Sequence, residues 1–121
     1  MPWLAYGGAM STRHTFFRNL TAEAPVPPRG THSQTLSNEA GVELVLFAFA
    51  AGEQLSEHTS ARPAIIHILS GDGDLTVGDD AYPAMAGTWL RMPAESRHSV
   101  VARTPMVMAL YLLPREDSSR P

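Results

Sequence analysis

The sequence contains neither cysteine nor lysine. All nine basic residues in the 121-residue chain are arginines. Without cysteine the chain cannot form disulfides, use a thiolate nucleophile or bind an iron–sulfur cluster. Without lysine it cannot form a Schiff base, anchor pyridoxal phosphate or build a P-loop. We expect no nucleotide, pyridoxal phosphate or haem cofactor.

Charge is also sparse, and long apolar runs are absent. Charged residues make up 17% of the chain and the net charge is −3 at pH 7, which leaves no basic surface for a nucleic acid. No segment reaches the roughly 18 consecutive apolar residues that span a bilayer. The short apolar stretch at the N-terminus follows no basic residue, unlike a signal peptide. We expect a cytoplasmic protein with no nucleic-acid or membrane partner.

What the sequence does contain is a series of short β-rich runs separated by glycine, proline, asparagine and aspartate. These runs predict strands over residues 32–36, 42–50, 55–59, 64–69, 74–77, 81–84, 88–92, 98–102 and 106–113, with a further strand or short helical turn near 15–20. No segment is long enough for the crossover helix of a parallel sheet. The pattern predicts one all-β domain, with an N-terminal arm over residues 1–30, a barrel over 31–114 and a polar tail over 115–121.

Two histidines stand at fixed distances from glycines. His58 follows Gly52 after five intervening residues, and His98 follows Gly87 with Pro93 between them. Because the histidines are 40 residues apart, they can converge only if the strands fold back on each other. The pair is therefore a candidate metal site inside a small β-barrel.

The segments that carry these histidines resemble the two motifs of the cupin family. The first segment, GEQLSEHTSARPAIIHILSG over residues 52–71, keeps both glycines and the first histidine of the family motif. The second segment, GTWLRMPAESRH over residues 87–98, keeps the glycine, the proline and the histidine. The resemblance covers about residues 42–113 and implies a single jelly-roll barrel with little or no helix. It also implies a homodimer, for which the apolar strands 42–50 and 106–113 offer edges or faces.

The departures from the motifs bear on function. Cupins of the usual kind hold a divalent metal such as Fe, Mn, Ni or Zn with three histidines and one glutamate. Here Ser60 stands at the second histidine position, Ala64 at the glutamate position and Glu95 at the middle glycine of the second motif. His58 and His98 are thus the two ligands that remain, and two imidazoles bind a transition metal weakly.

His67 is the candidate for a third ligand. It lies on the strand that carries the glutamate in the family, but it is three residues after position 64, so an unbroken strand sends it to the opposite face. A bulge near Pro63 would restore the inward direction. His32 is a weaker candidate, and His14 lies in a polar leader. The direction of His67 stays open from the sequence alone.

Four further residues are candidates for the lining of a ligand pocket: Ser60, Arg62, Trp89 and Met92. Methionine suits an adaptable apolar cavity, and Arg62 could meet an anionic substrate or lie at the surface. Glu57 is expected to form an ion pair with an arginine. The turn that contains Glu95 is either solvated or a gate at the barrel opening.

Two classes of function follow. One is a metal-dependent enzyme, such as a dioxygenase, an isomerase or a lyase, in which the metal polarises a substrate or binds dioxygen. The other is a metal-free cupin that binds or senses a small organic metabolite, with His58 and His98 as orienting polar groups. The incomplete ligand set weakens the first class.

Overall fold

The computed structural model describes residues 13–115. These residues form one short 3-10 helix, Leu20–Glu23, and nine strands. In chain order, the strands β1 to β9 are Thr31–Glu39, Val42–Phe49, Gln54–His58, Ala64–Ser70, Asp72–Val77, Asp80–Met85, Trp89–Met92, His98–Ala102 and Met106–Leu112. Each predicted strand from residue 32 onwards overlaps one of them, so the all-β prediction is confirmed. Of the strand or helical turn predicted near residues 15–20, only Leu20 lies in regular structure, as the first residue of the 3-10 helix.

The strands form two antiparallel sheets. One sheet has the order β1-β2-β9-β4-β7 and the other has the order β3-β8-β5-β6. The chain passes from one sheet to the other after every strand from β2 onwards except β5, which is the connectivity of a jelly roll. The apolar runs expected to provide edges or faces for a homodimer are β2 and β9. They are interior strands, and the edges of the five-stranded sheet are β1 and β7.

Apolar side chains from both sheets fill the interior of the barrel. Ala64, Ile66 and Ile68 alternate along β4 and meet Leu75 of β5 and Val100 of β8. All five are at most 2% exposed. Burial of apolar surface contributes about 25 cal/mol per Å², so this cluster supplies much of the free energy of folding. It also identifies the inward face of each strand.

A second apolar cluster covers the outer face of the five-stranded sheet. It contains Leu44, Leu46 and Ala48 of β2, against which Phe17 and Ala24 of the N-terminal segment pack. Strand β2 is therefore covered on both faces, which explains the nearly continuous apolar run over residues 42–50. Residues 1–12 of the predicted arm and 116–121 of the predicted tail lie outside the described residues. Within residues 13–115, no helix has the length and apolarity needed to cross a membrane.

The barrel has two ends, which are named here by their residues. The mouth is the end that contains His58, Ser60, residues 93–97 and His98. The closed end is the opposite one, where Gly71 and Asp72 meet residues 103–106. At the closed end a glycine is required, because Gly71 has a φ of +86° and a Cβ atom there would lie 2.1 Å from the carbonyl oxygen of Pro105.

Candidate functional site

The two motif histidines are direct neighbours on the four-stranded sheet. Strands β3 and β8 pair antiparallel, and His58 lies opposite His98 in the register. Residues opposite each other on antiparallel strands share a face of the sheet, so the two rings meet. Their centroids are 4.2 Å apart and their planes are inclined by 57°. The structure therefore brings together the two histidines that the sequence spacing singled out.

Both rings are held in the same way by the backbone. The Nδ1 atom of His58 lies 2.8 Å from the carbonyl oxygen of Ser56, and Nδ1 of His98 lies 2.9 Å from that of Ser96. A carbonyl oxygen accepts hydrogen bonds and cannot donate them, so each Nδ1 carries the hydrogen. In the neutral form of each ring, Nε2 is then the unprotonated nitrogen. Neither Nε2 has a hydrogen-bond partner within residues 13–115.

His98 favours the neutral form. Its residue is 7% exposed, whereas His58 is exposed. Burial lowers the pKa of His98 below 6.5, and the neighbouring His58 also lowers it, against the opposing effect of the hydrogen bond to Ser96. No buried side-chain nitrogen or oxygen of the described residues lacks a partner, so Nε2 of His98 remains accessible from outside. His98 thus presents an accessible lone pair at neutral pH.

A small depression lies beside His98 at the mouth. It is lined by Ser60, Arg62, Ala64, Met92, Pro93, Ser96 and His98, and it is too narrow to hold a water molecule. Met92 is the methionine in this lining, and it is 2% exposed. A ligand group could therefore enter the depression only if Met92 moved aside, and the flexible side chain of methionine makes such a movement possible.

Comparison with known proteins agrees with this geometry. The family profile described as a cupin domain matches residues 45–113, which is more than half of the chain. The chain belongs to the cupin family. The resemblance of the two histidine motifs to that family is confirmed.

Solved structures share the cupin fold. A protein of unknown function from Streptococcus pyogenes is 26% identical, with a TM-score of 0.76 over 91% of this chain and 100% of that chain. A cupin superfamily protein from Desulfitobacterium hafniense is 23% identical, with a TM-score of 0.74 over 87% of this chain and 94% of that chain. Salicylate 1,2-dioxygenase from Pseudoaminobacter salicylatoxidans is 16% identical, with a TM-score of 0.64 over 77% of this chain and 28% of that chain. No curated protein sequence matches the chain.

This cupin lacks the usual histidine and glutamate ligands at two positions of the family metal site. Ala64 is 2% exposed on the inward face of β4 and has no atom that can bind a metal. Ser60 is half-buried, and its hydroxyl oxygen accepts a hydrogen bond from the backbone N–H of Arg62 at 3.1 Å. Of the usual metal ligands in the first cupin motif, only His58 is therefore present.

His67 does not replace the missing ligand. Strand β4 pairs with β7 without a register shift from Ala64 to His67, and the shift on β4 falls later, between Ile68 and Ser70. The bulge proposed near Pro63 is therefore wrong. Since Ala64 and Ile66 face inwards, alternation sends His67 to the outer face of the sheet.

Trp89 and His32 also lie on that outer face. Trp89 is opposite His67 in the register and is 58% exposed, so it does not line the depression beside His98. His32 is opposite Ala48, a member of the outer cluster. His32, His67 and Trp89 are therefore separated from the motif histidines by the sheet, whereas Ser60 and Met92 line the depression as predicted.

Arg62 lines the depression, but its guanidinium group already donates four hydrogen bonds. It donates to the carbonyl oxygens of Gly41 at 2.7 Å, Leu113 at 2.9 Å and Leu112 at 3.1 Å. It also forms a salt bridge with Glu43 at 3.2 Å. These bonds attach the end of β9 and the β1–β2 turn to the mouth, so Arg62 is a structural residue rather than a group free to bind an anionic substrate.

The turn before His98 contains a feature that the sequence marked only indirectly. Glu95 has a φ of +67°, in the left-handed region where glycine is favoured. Its backbone N–H donates to the carbonyl oxygen of Ser60 at 2.7 Å and thereby joins the two motifs. Glycine is the family residue at this position, so the replacement was visible in the sequence, but its conformation was not.

The residues at the mouth do not fit the metal centre that the family implies. The described part of the chain contains no group of three or more His, Cys, Asp or Glu side chains that could hold a metal ion. Two imidazoles fall short of the three protein ligands of an open catalytic zinc site. What the arrangement does offer is a pair of accessible nitrogen lone pairs beside a small depression.

Proposed function

We propose that this cupin binds a small organic molecule at the mouth of its barrel without a resident transition metal. His58 and His98 orient the ligand through their Nε2 atoms. The observation that carries the proposal is the pairing of the two rings, with each Nδ1–H bonded to a backbone carbonyl and each Nε2 left open. Binding sites of this kind combine an apolar surface with a few convergent polar groups.

The lining of the depression supports a ligand that is small or that inserts only one end. Because the depression is too narrow to hold a water molecule, a ligand would lie over the mouth and insert a group only where Met92 moves aside. Met92 provides an apolar floor, and Pro93 and Ala64 provide apolar walls. We propose a compact metabolite with an apolar body and a polar end directed at the histidines.

A metal-dependent enzyme is the second candidate, and one observation favours it. Neutral imidazole is the form that binds metals, and the two Nε2 atoms, on paired strands, have no hydrogen-bond partner within residues 13–115. Iron, manganese, nickel or zinc held there would need its remaining ligands from water or substrate, and its chemistry would be that of a dioxygenase, an isomerase or a lyase. The absence of a donor at Ala64 counts against this candidate.

Elemental analysis distinguishes the two candidates. The chain is purified without added metal, and binding of Zn²⁺, Ni²⁺, Mn²⁺ and Fe²⁺ is then measured by calorimetry. We expect metal content well below one equivalent and weak binding. One equivalent of metal that is lost in both His58→Ala and His98→Ala, but retained in the outer-face variant His67→Ala, would contradict the metal-free proposal and support the enzyme.

We also propose a homodimer, on the basis of the family resemblance alone. Size-exclusion chromatography with light scattering measures the mass directly. A mass of one chain across a range of protein concentrations would refute the dimer.

A further inference from the structure

The mouth presents more hydrogen-bond acceptors than donors. The Nε2 atoms of His58 and His98 are both acceptors in the neutral rings. Ser96 adds another, because its hydroxyl donates to the carbonyl oxygen of Pro93 at 2.8 Å and so has only lone pairs left to offer. The hydroxyl of Ser60 is the donor among the polar side chains at the depression that has no acceptor within residues 13–115.

The cationic side chains near the mouth do not offset this imbalance. The guanidinium of Arg62 is bonded to Glu43 and to three carbonyl oxygens. Arg97 lies between Glu57 at 3.6 Å and Asp79 at 3.4 Å. Arg62 and Arg97 are thus both already paired with carboxylates.

An acceptor-rich site binds poorly any ligand that leaves its acceptors without a hydrogen-bond donor, because each unpaired acceptor costs binding free energy. A ligand with only lone pairs would leave both Nε2 atoms without a partner and bring lone pairs together, while excluding the water that served them. A carboxylate would in addition have to compete with Glu43, Glu57 and Asp79 for Arg62 and Arg97. A hydroxyl or an amino group avoids both costs, because each donates a hydrogen bond.

We infer that the ligand of this site donates hydrogen bonds from hydroxyl or amino groups to Nε2 of His58 and His98 and carries no anionic group. This inference rests on the proposed function and names the class of molecule that the site accepts. The inference applies to the part of the ligand that faces the two histidines, since the rest of the ligand contacts the apolar lining.

Four molecules built on the same three-carbon skeleton test the inference. Propylene glycol offers two hydroxyl donors, isopropanolamine replaces one of them by an amine, lactate replaces one by a carboxylate, and propylene glycol dimethyl ether has acceptors alone. Each is titrated into the protein at pH 7.5, and long-range proton–nitrogen NMR follows Nε2 of His58 and His98. We expect the glycol or the amino alcohol to shift both Nε2 signals upfield and to bind at least about tenfold tighter than lactate or the ether, which corresponds to about 1.4 kcal/mol.

Two substitutions of His98 distinguish the role of its acceptor, Nε2, from the role of the hydrogen bond that its Nδ1–H donates to Ser96. In His98→Asn, the side-chain amide can still donate to the carbonyl oxygen of Ser96, but the acceptor is lost. In His98→Gln, the amide oxygen can take the place of Nε2. We expect His98→Asn to lose binding by about tenfold or more and His98→Gln to keep part of it. His67→Asn, on the outer face, is the matched control and should bind as the parent does.

The outcomes separate failure of the inference from failure of the proposed function. If lactate or the ether shifts the Nε2 signals and binds as tightly as the donors, the site exists and the inferred ligand class is wrong. If no probe shifts either Nε2 signal at any soluble concentration, both the inference and the proposed function are overturned. If His98→Asn and His98→Gln both fail to fold, the ranking of the four probes on the parent chain still decides the question.

Discussion

At the closed end of the barrel, backbone polar atoms are paired within the chain, whereas at the mouth two imidazole nitrogens are left open. The N–H of Asp72 donates to Oγ1 of Thr104 at 2.9 Å, and the carbonyl oxygen of Asp72 accepts from the N–H of Arg103 at 2.9 Å. His58 and His98 use one ring nitrogen each for the backbone and present the other outwards. The two ends are built from the same strands and differ in what their polar atoms contact.

This difference separates stability from binding. A group that is satisfied inside the protein contributes to folding and cannot also bind a ligand without losing its partner. A group that is held rigidly but left half-satisfied is available for a ligand, at some cost in stability. Substitutions at the closed end should therefore unfold the protein, and substitutions of the open acceptors at the mouth should change binding more than folding.

Gly71→Ala is expected to have the largest effect. A Cβ atom at Gly71 would lie 2.1 Å from the carbonyl oxygen of Pro105 and 2.7 Å from Cα of Met106, which are backbone atoms that cannot move aside cheaply. We expect a loss of about 2–4 kcal/mol in the free energy of unfolding, measured by urea denaturation.

Gly52→Ala is the matched control for that substitution. Gly52 has the same φ of +86°, but nothing lies within 4 Å of a Cβ atom built there. Its substitution should cost only the strain of the left-handed conformation, about 1–2 kcal/mol. Equal losses for Gly71→Ala and Gly52→Ala would show that the close approach at the closed end contributes nothing to stability.

Arg62→Met tests whether one polar group at the mouth behaves like those of the closed end. The substitution removes the hydrogen bonds to Gly41, Leu112 and Leu113 and the salt bridge to Glu43. Because the partners are partly exposed and can bind water, we expect a loss of about 1–2 kcal/mol by urea denaturation.

Arg97→Met is the control for Arg62→Met. Arg97 also pairs with carboxylates at the mouth, but its side chain is 51% exposed, so its loss should cost less than about 0.5 kcal/mol. A larger cost for Arg97→Met than for Arg62→Met would refute the structural role of Arg62.

The pKa of His98 predicts a dependence of stability on pH. Burial lowers the pKa in the folded state below 6.5, so between that pKa and 6.5 the unfolded chain binds more protons than the folded chain. The free energy of unfolding should therefore be constant with respect to this group above 6.5 and fall as the pH decreases through that window. Thermal denaturation over the acid range measures the fall, and His98→Asn should reduce it. An unchanged slope in that variant would assign the effect to other groups.

Glu95→Gly is expected to have a small effect of the opposite sign. Glu95 holds a φ of +67°, which glycine adopts without strain. The gain is offset by the greater freedom of glycine in the unfolded chain, so we expect stabilisation of up to about 1 kcal/mol. Ala94→Gly, at the neighbouring position without a positive φ, should destabilise the protein instead. Destabilisation by Glu95→Gly would mean that the glutamate side chain stabilises the mouth.

Much of this architecture could be predicted from local patterns. Turn residues and β-rich runs placed nine strands, and the spacing of His58 and His98 from Gly52 and Gly87 indicated the fold and the meeting of the two rings. These features could be predicted because each depends on residues that are close in sequence or on the pairing of one strand with another. The direction of His67 depended on whether a bulge near Pro63 interrupts the strand, which the sequence left open and which only the regular pairing of β4 with β7 decided.

The sequence by itself determined the class of fold, the two histidines at the mouth and the absence of donors at Ser60 and Ala64 in the metal positions, because each depends on residue identity at a fixed spacing. The tertiary structure alone decided which nitrogen of each histidine is open, since that depends on the carbonyl oxygens of Ser56 and Ser96. It also decided that Arg62 is bound by groups up to 51 residues away along the chain. Hydrogen bonding at the site is set by contacts between distant segments, and those exist only once the two sheets have packed.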